Sequence, residues 1–286
     1  MNSPRLVASI VVRDGLHVQS FGFRRYLPVG NPVESAREFD RWGVDEIALI
    51  LLDSDLQANR RLVSEVSDAI AVPLAAIGGI RSIADARAYI AGGADKIGFN
   101  TALVENPALV HEASRIFGEQ CVVASIDLVR QGARFFRWDY WKKNASNMES
   151  VDWIREVEQM GAGEILLNFP EKDGAGGGMD VEAIQQAVAS TNLPLVAVGG
   201  IGATAHAAEC FQVAKPSGIG VGNRLAHFEQ SILLFKKALA DSGAPVRTAG
   251  KATYSDSPTD TEGRPAKKSE EFLADLLFHR IEPEKI

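Results

Sequence analysis

Short runs of aliphatic and β-branched residues alternate along the chain with longer amphipathic stretches. The runs fall at 6–12, 46–52, 74–77, 96–99, 121–126, 164–168, 195–198 and 218–221. They are nearly continuous in apolar character, as strands covered on both faces are. Between them, apolar residues recur at helical spacing over 31–42, 59–70, 82–92, 107–117, 148–160, 181–190 and 203–213. Eight strands alternating with helices predict a closed parallel (β/α)8 TIM barrel or, failing closure, a large doubly wound sheet.

A long-period internal repeat favours the barrel. VASI at 7–10 returns as VASI at 123–126, each followed by an Arg and a Gly (Arg13 and Gly15, then Arg130 and Gly132). GVDEIALI at 43–50 returns as GAGEILLN at 161–168, VPLAAIGGI at 72–80 as LPLVAVGGI at 193–201, and GFN at 98–100 more loosely as GVGN at 220–223. The offsets grow gently, 116, 118, 121 and about 123 residues, so two half-barrel repeats of four βα units each close one barrel over 1–242. Residues 243–268, rich in Pro, Gly, Ser and Thr, predict a flexible linker. The segment 269–286 predicts a short helix capped by Ser269, with Phe272, Leu273, Leu276 and Leu277 on one face, either packed on the barrel or binding a partner.

Charge and composition narrow the function. A formal net charge of −7 argues against nucleic acid or an anionic membrane surface as partner, so any phosphate binding must be local. Cys121 and Cys210 are too few and too far apart for a disulfide framework or thiolate site, and the five His show no ligand spacing; neither a metal nor a cofactor is expected. The start, MNSPRLVASIVV, has no basic region leading into a long apolar run, and a cytoplasmic location is expected.

Barrel chemistry belongs at the C-terminal ends of the strands. Gly78 and Gly79 with Asn100 and Thr101 form one candidate cluster there; Gly199 and Gly200 with Gly222 and Asn223 form its twin. A single GG after a strand fits a tight left-handed turn as well as an anion cradle. Two at matched positions favour cradles for a phosphorylated small molecule charged at both ends. Asp127, closing an otherwise apolar strand, is the leading acid/base candidate. Asp173 in EKDGAGGG, next to the phosphate-binding candidate Gly174, reads either as a catalytic carboxylate or as a turn aspartate.

The ordered set RLVASIVVRDG, VGNPVE, GVDEIALI, AIGGIRS, ADKIGFNTALVENP, VVASID, KKN, GAGEILL, KDG and VGGIG resembles the cyclase subunit of imidazole glycerol phosphate synthase across about residues 5–240. That resemblance implies a lyase-type cyclase that takes ammonia from a glutaminase (a class I glutamine amidotransferase subunit) docked at the barrel bottom and condenses it with a bis-phosphorylated nucleotide. It further implies an ammonia gate of Arg5, Glu46, Lys96 and Glu164, with Asp95 facing the glutaminase. Two acids and two bases near strand starts can satisfy one another as a ring of ion pairs, which also serves stability at this face.

The upper rim departs from the family. The family pairs two aspartates as acid and base, but the repeat sets Val11 opposite Asp127, and a valine moves no proton. Gln19 stands where the family has a phosphate-contacting lysine, and Leu51 replaces another aspartate. The chain is in this respect similar to cyclase-like paralogues that work with a glutaminase and a separate amidotransferase to place acetamidino groups on surface sugars. Their Tyr-x-Val-Gly-Asp-Pro stretch corresponds to Tyr26–Pro32 here, one residue longer through Leu27 and Pro28. Whether this barrel is an enzyme is left open between three readings: an ammonia-conducting paralogue, a working cyclase subunit of histidine biosynthesis in which Asp14 or Asp53 substitutes, and a non-catalytic scaffold for phosphorylated ligands.

Overall fold

The structure is a computed structural model describing residues 3–139, 143–227 and 231–247. Its first half runs β1 (Arg5–Arg13), β2 (Leu16–Phe21), β3 (Arg25–Gly30), α1 (Pro32–Arg41), β4 (Glu46–Leu51), α2 (Leu56–Ala69), β5 (Leu74–Ile77), α3 (Ile83–Ala91), β6 (Lys96–Phe99), α4 (Thr101–Glu105) and α5 (Pro107–Phe117). The second half runs β7 (Val122–Gln131), β8 (Arg134–Asp139), β9 (Asn144–Glu149), α6 (Ser150–Gln159), β10 (Glu164–Asn168), α7 (Val181–Ala189), β11 (Leu195–Val198), α8 (Thr204–Val213), β12 (Gly218–Val221) and α9 (Ser231–Asp241).

Eight of these strands pair in parallel in the order β1, β4, β5, β6, β7, β10, β11, β12, and β12 pairs back to β1. The sheet is therefore closed, and the (β/α)8 barrel expected from the chain pattern is the fold. Its residues alternate in and out with the period-2 rule. Leu6, Ala8, Ile10, Ile47, Leu49, Ile165 and Leu167 pack outward against the helices. Val7, Val11, Ala48, Ile50, Ala75, Val123, Leu166 and Val196 form a separate apolar cluster within the barrel.

Each half opens with the same excursion. β1 continues upward into an antiparallel hairpin with β2, which pairs β3, and β7 does the same with β8 and β9. The first turn is Asp14-Gly15 with both φ values positive, 52° and 72°, the backbone that a two-residue hairpin turn needs. Within β3, Pro28 lies opposite Val18 and Gly30 opposite His17, so Val29 is bulged out of register in the stretch that reads one residue too long for the paralogues.

The helices start where local chemistry says they should. Asn31, Asp55, Ser82 and Asp180 each accept a backbone N–H of the first turn that follows, and Pro32 and Pro107 need no donor there. After α9 the chain returns to the lower face, where Ala244 is buried and Arg247 Nε donates to Ser3 O at 3.0 Å. The rest of the expected linker, from 248, and the expected helix at 269–286 lie outside the described residues.

Candidate functional site

The lower mouth is closed by charge. Arg5, Glu46, Lys96 and Glu164 begin β1, β4, β6 and β10, so the barrel places them at one level facing the axis. The Arg5 guanidinium bonds Glu46 and, at 3.0 Å, Glu164; Lys96 Nζ reaches Glu46 at 2.9 Å and Glu164 at 2.9 Å. Cation and anion alternate all the way round. Burial disfavours the Arg5 charge, but Glu46 and Glu164 outweigh it and the Arg5 pKa is raised. Asp95, beside Lys96, is exposed on this face while one of its oxygens accepts the Leu74 N–H at 2.8 Å.

Above the ring the barrel interior is aliphatic, apart from the buried Ser9 and Ser125, until the strand ends. There Asp127 is 5% exposed, its Oδ2 accepting from the Asn100 amide, which also donates to Ser125 O at 2.9 Å. Asn168, the register partner of Asp127 on β10, donates from Nδ2 to Ser125 Oγ at 3.2 Å. The equivalent positions of the first half are apolar: Val11 and Ile50 are buried in the interior cluster. The upper rim is thus polar on β6, β7 and β10 and aliphatic on β1 and β4. The reading of the chain missed Asn168, although the repeat carries it, since GAGEILLN ends in Asn where GVDEIALI ends in Ile.

Two of the cavities on this rim hold the candidate site residues. The larger, of 1130 Å3, is lined by Gly78, Gly79, Asn100, Thr101, Asp127 and Arg13 among others. The smaller, of 150 Å3, is lined by Asp173, Gly174, Gly199, Gly200, Gly222 and Asn223 among others. Each expected phosphate cradle therefore has its own cavity, and the two candidate catalytic aspartates lie in different ones. Phe23, Ile50 and Asn168 line both and stand between them.

The paired glycines have a backbone reason as well. Gly78 and Gly199 have φ values of 100° and 104°, and a Cβ there would meet Leu51 O at 2.5 Å or Phe169 O at 3.3 Å, which are matching positions of the two halves. Neither adjoining helix start is bare. The Asp85 carboxylate accepts Arg81 N and Ser82 Oγ before α3, and His206 Nδ1 accepts Gly202 N and Ala203 N, each at 3.3 Å, before α8.

Asp173 holds the first hairpin down. Its Oδ2 accepts Ser20 Oγ at 2.6 Å and Phe23 N at 3.1 Å, while its backbone carbonyl takes Gly22 N. Burial pushes its pKa up against the pull of these donors. Asn223 adds a second clamp, with its amide exchanging hydrogen bonds with the Ser20 backbone at 3.0 and 2.7 Å. Gln19 Nε2 donates to Asn223 O at 3.4 Å. Asp53 is likewise engaged, accepting Asp14 N and Gly15 N of the hairpin turn at 2.8 and 3.0 Å.

Residues 5–231 match the family described as histidine biosynthesis protein. A Vibrio vulnificus protein provisionally named imidazole glycerol phosphate synthase subunit hisF2 is 35% identical over 264 residues, covering 91% of this chain and 97% of its own. The imidazole glycerol phosphate synthase subunit HisF of Methanocaldococcus jannaschii is 34% identical over 272 residues, covering 86% and 99%. That of Caulobacter vibrioides is 35% identical over 255 residues, covering 86% and 97%. With a closed barrel of two like halves, a charged lower ring and matched glycine pairs at the rim, the chain belongs to the histidine biosynthesis protein family as a HisF-like barrel.

Proposed function

We propose that this protein is a divergent HisF-like subunit that docks a glutaminase on its lower face and takes in the ammonia released there, in the service of a separate amidotransferase of the acetamidino-sugar type. The observation that carries the reading is the alternating ring of Arg5, Glu46, Lys96 and Glu164 beneath an apolar interior. Such a ring lets nothing past while closed. Withdrawal of the Lys96 ammonium towards solvent would open it, and a partner offering an acceptor to Lys96 would offset the two lost ion pairs. A neutral molecule the size of ammonia then meets mainly aliphatic walls broken by the Ser9 and Ser125 hydroxyls, which an ion could cross only at a large desolvation cost.

The upper rim supports divergence from cyclisation. Acid/base catalysis of the family type needs a carboxylate on β1, and Val11 offers none. Of the two candidates to replace it, Asp53 is committed to the hairpin turn, and Asp14, in that same turn, is exposed and lies beside Arg13 at 3.8 Å. A working cyclase is the second reading, favoured by Asp127 standing in the larger cavity beside the Gly78-Gly79 cradle.

Two measurements test this. The full chain should co-purify with its class I glutaminase, and Lys96→Glu or Asp95→Lys should abolish the association; absence of any association would overturn the docking. Given ammonium salt and the bis-phosphorylated nucleotide, the purified protein should show no turnover, and Val11→Asp should restore partial cyclisation at best. Robust conversion by the unaltered protein would replace the first reading with the second.

A further inference from the structure

We infer that the Asn168 carboxamide is a binding point for neutral ammonia at the head of the barrel interior, an inference that rests on the ammonia-conducting reading above. Asn168 is 4% exposed, and its two polar atoms have unlike fates. Nδ2 donates to Ser125 Oγ, whereas Oδ1 is buried and has no hydrogen-bond partner among the described residues. A buried carbonyl oxygen left unpaired costs about 1–3 kcal/mol, so such an atom on a residue that lines both cavities points to a hydrogen-bond donor from outside the chain.

The position of Asn168 says which donor. Inward-facing residues recur every second position along β10, giving Glu164 in the ring, Leu166 in the apolar interior and Asn168 at the strand end. On the other ring-bearing strands no inward-facing residue leaves a fully buried acceptor without a partner among the described residues. β1 passes through Val7 and Ser9 to Val11, and β4 passes through Ala48 to Ile50. β6 leads to Asn100, whose Nδ2 donates to Ser125 O and Asp127. A molecule rising from the ring therefore finds a buried, unpaired acceptor at Asn168, at the boundary between the two cavities.

The chemistry of that acceptor suits ammonia rather than ammonium. A carboxamide accepts one N–H without adding negative charge, leaving the nitrogen lone pair unprotonated and turned away from the amide. A carboxylate at the same place would favour the protonated, non-nucleophilic form. Ser125 Oγ, bonded to Nδ2, fixes the plane of the carboxamide, and Asp127 on the neighbouring strand is its register partner.

The test is nuclear magnetic resonance of the full-length chain carrying 15N-labelled asparagine side chains, with the Asn168 pair identified by its loss in Asn168→Asp or Asn168→Leu. Ammonium chloride added at alkaline pH, where ammonia is abundant, should move that pair saturably. The same salt at mildly acidic pH, and sodium chloride at either pH, should leave it in place. Ser125→Ala, which frees the amide plane, should weaken the response several-fold. An Asn168 signal indifferent to ammonia at alkaline pH, as it would be if water alone satisfied Oδ1, overturns the assignment. The readout needs no glutaminase: a saturable shift without glutaminase association would sink the docking and leave the ammonia site standing, and the converse would do the opposite.

Discussion

His17 shows how a single buried side chain in the first hairpin sets a pH limit on the fold. It is 3% exposed beneath Phe39, with Nδ1 against Ser35 Oγ at 2.8 Å, and burial lowers its pKa to about 4. The folded state therefore holds this ring neutral while the unfolded chain protonates it near its ordinary value of about 6.5. Stability from this group is present above that value and lost as pH falls through the window down to about 4. Denaturation midpoints measured across that window should drop less for His17→Phe than for the unaltered protein; parallel curves would show that the ring is not the titrating group. A lone histidine in LHVQSF announces none of this in the sequence, because its burial depends on α1 crossing behind β2.

At the scale of elements, the eight barrel strands and seven of the helices were readable because each presents a continuous apolar run or a helical stripe. The four hairpin strands were not. β3 is half exposed, carries Pro28 and is bulged at Val29, so its alternation is broken where a strand pattern would be sought. The turn was nevertheless written in the chain, since Asp14-Gly15 is a strong hairpin signal and the Arg-x-Gly echo at 130–132 marks the second. Asp173 was readable as a polar loop residue, but not as a clamp, because its partners Ser20 and Phe23 lie about 150 residues away. Asp173→Asn should loosen the hairpin by about 1–3 kcal/mol. Hydrogen exchange at the Gly22 and Phe23 amides should accelerate accordingly while the barrel strands stay protected, and unchanged exchange there would exclude the clamp.

At the scale of the whole molecule, the lower ring ties strands from both halves into one electrostatic unit. Glu46 and Glu164 are 4% and 9% exposed, so removing one cation leaves buried carboxylate charge uncompensated. Lys96→Met should therefore cost about 3 kcal/mol in denaturant unfolding, with Lys96→Met plus Glu164→Leu costing less than the sum of the two single changes. Additive losses would mean that the ring is a set of independent surface pairs.

The ring also says how the two halves recognise each other. The first half supplies Arg5, Glu46 and Lys96, a surplus of one positive charge, and the second supplies Glu164 alone. Where the first half has Arg5 and Lys96, the repeat places Cys121 and Gly218 in the second. Two copies of the second half would bury two carboxylates with no cation between them, whereas one copy of each half closes neutral. Severed near Gly118 and expressed as separate polypeptides, the halves should thus reassemble as a one-to-one pair, and a stable self-associated second half would be the result this charge pattern forbids.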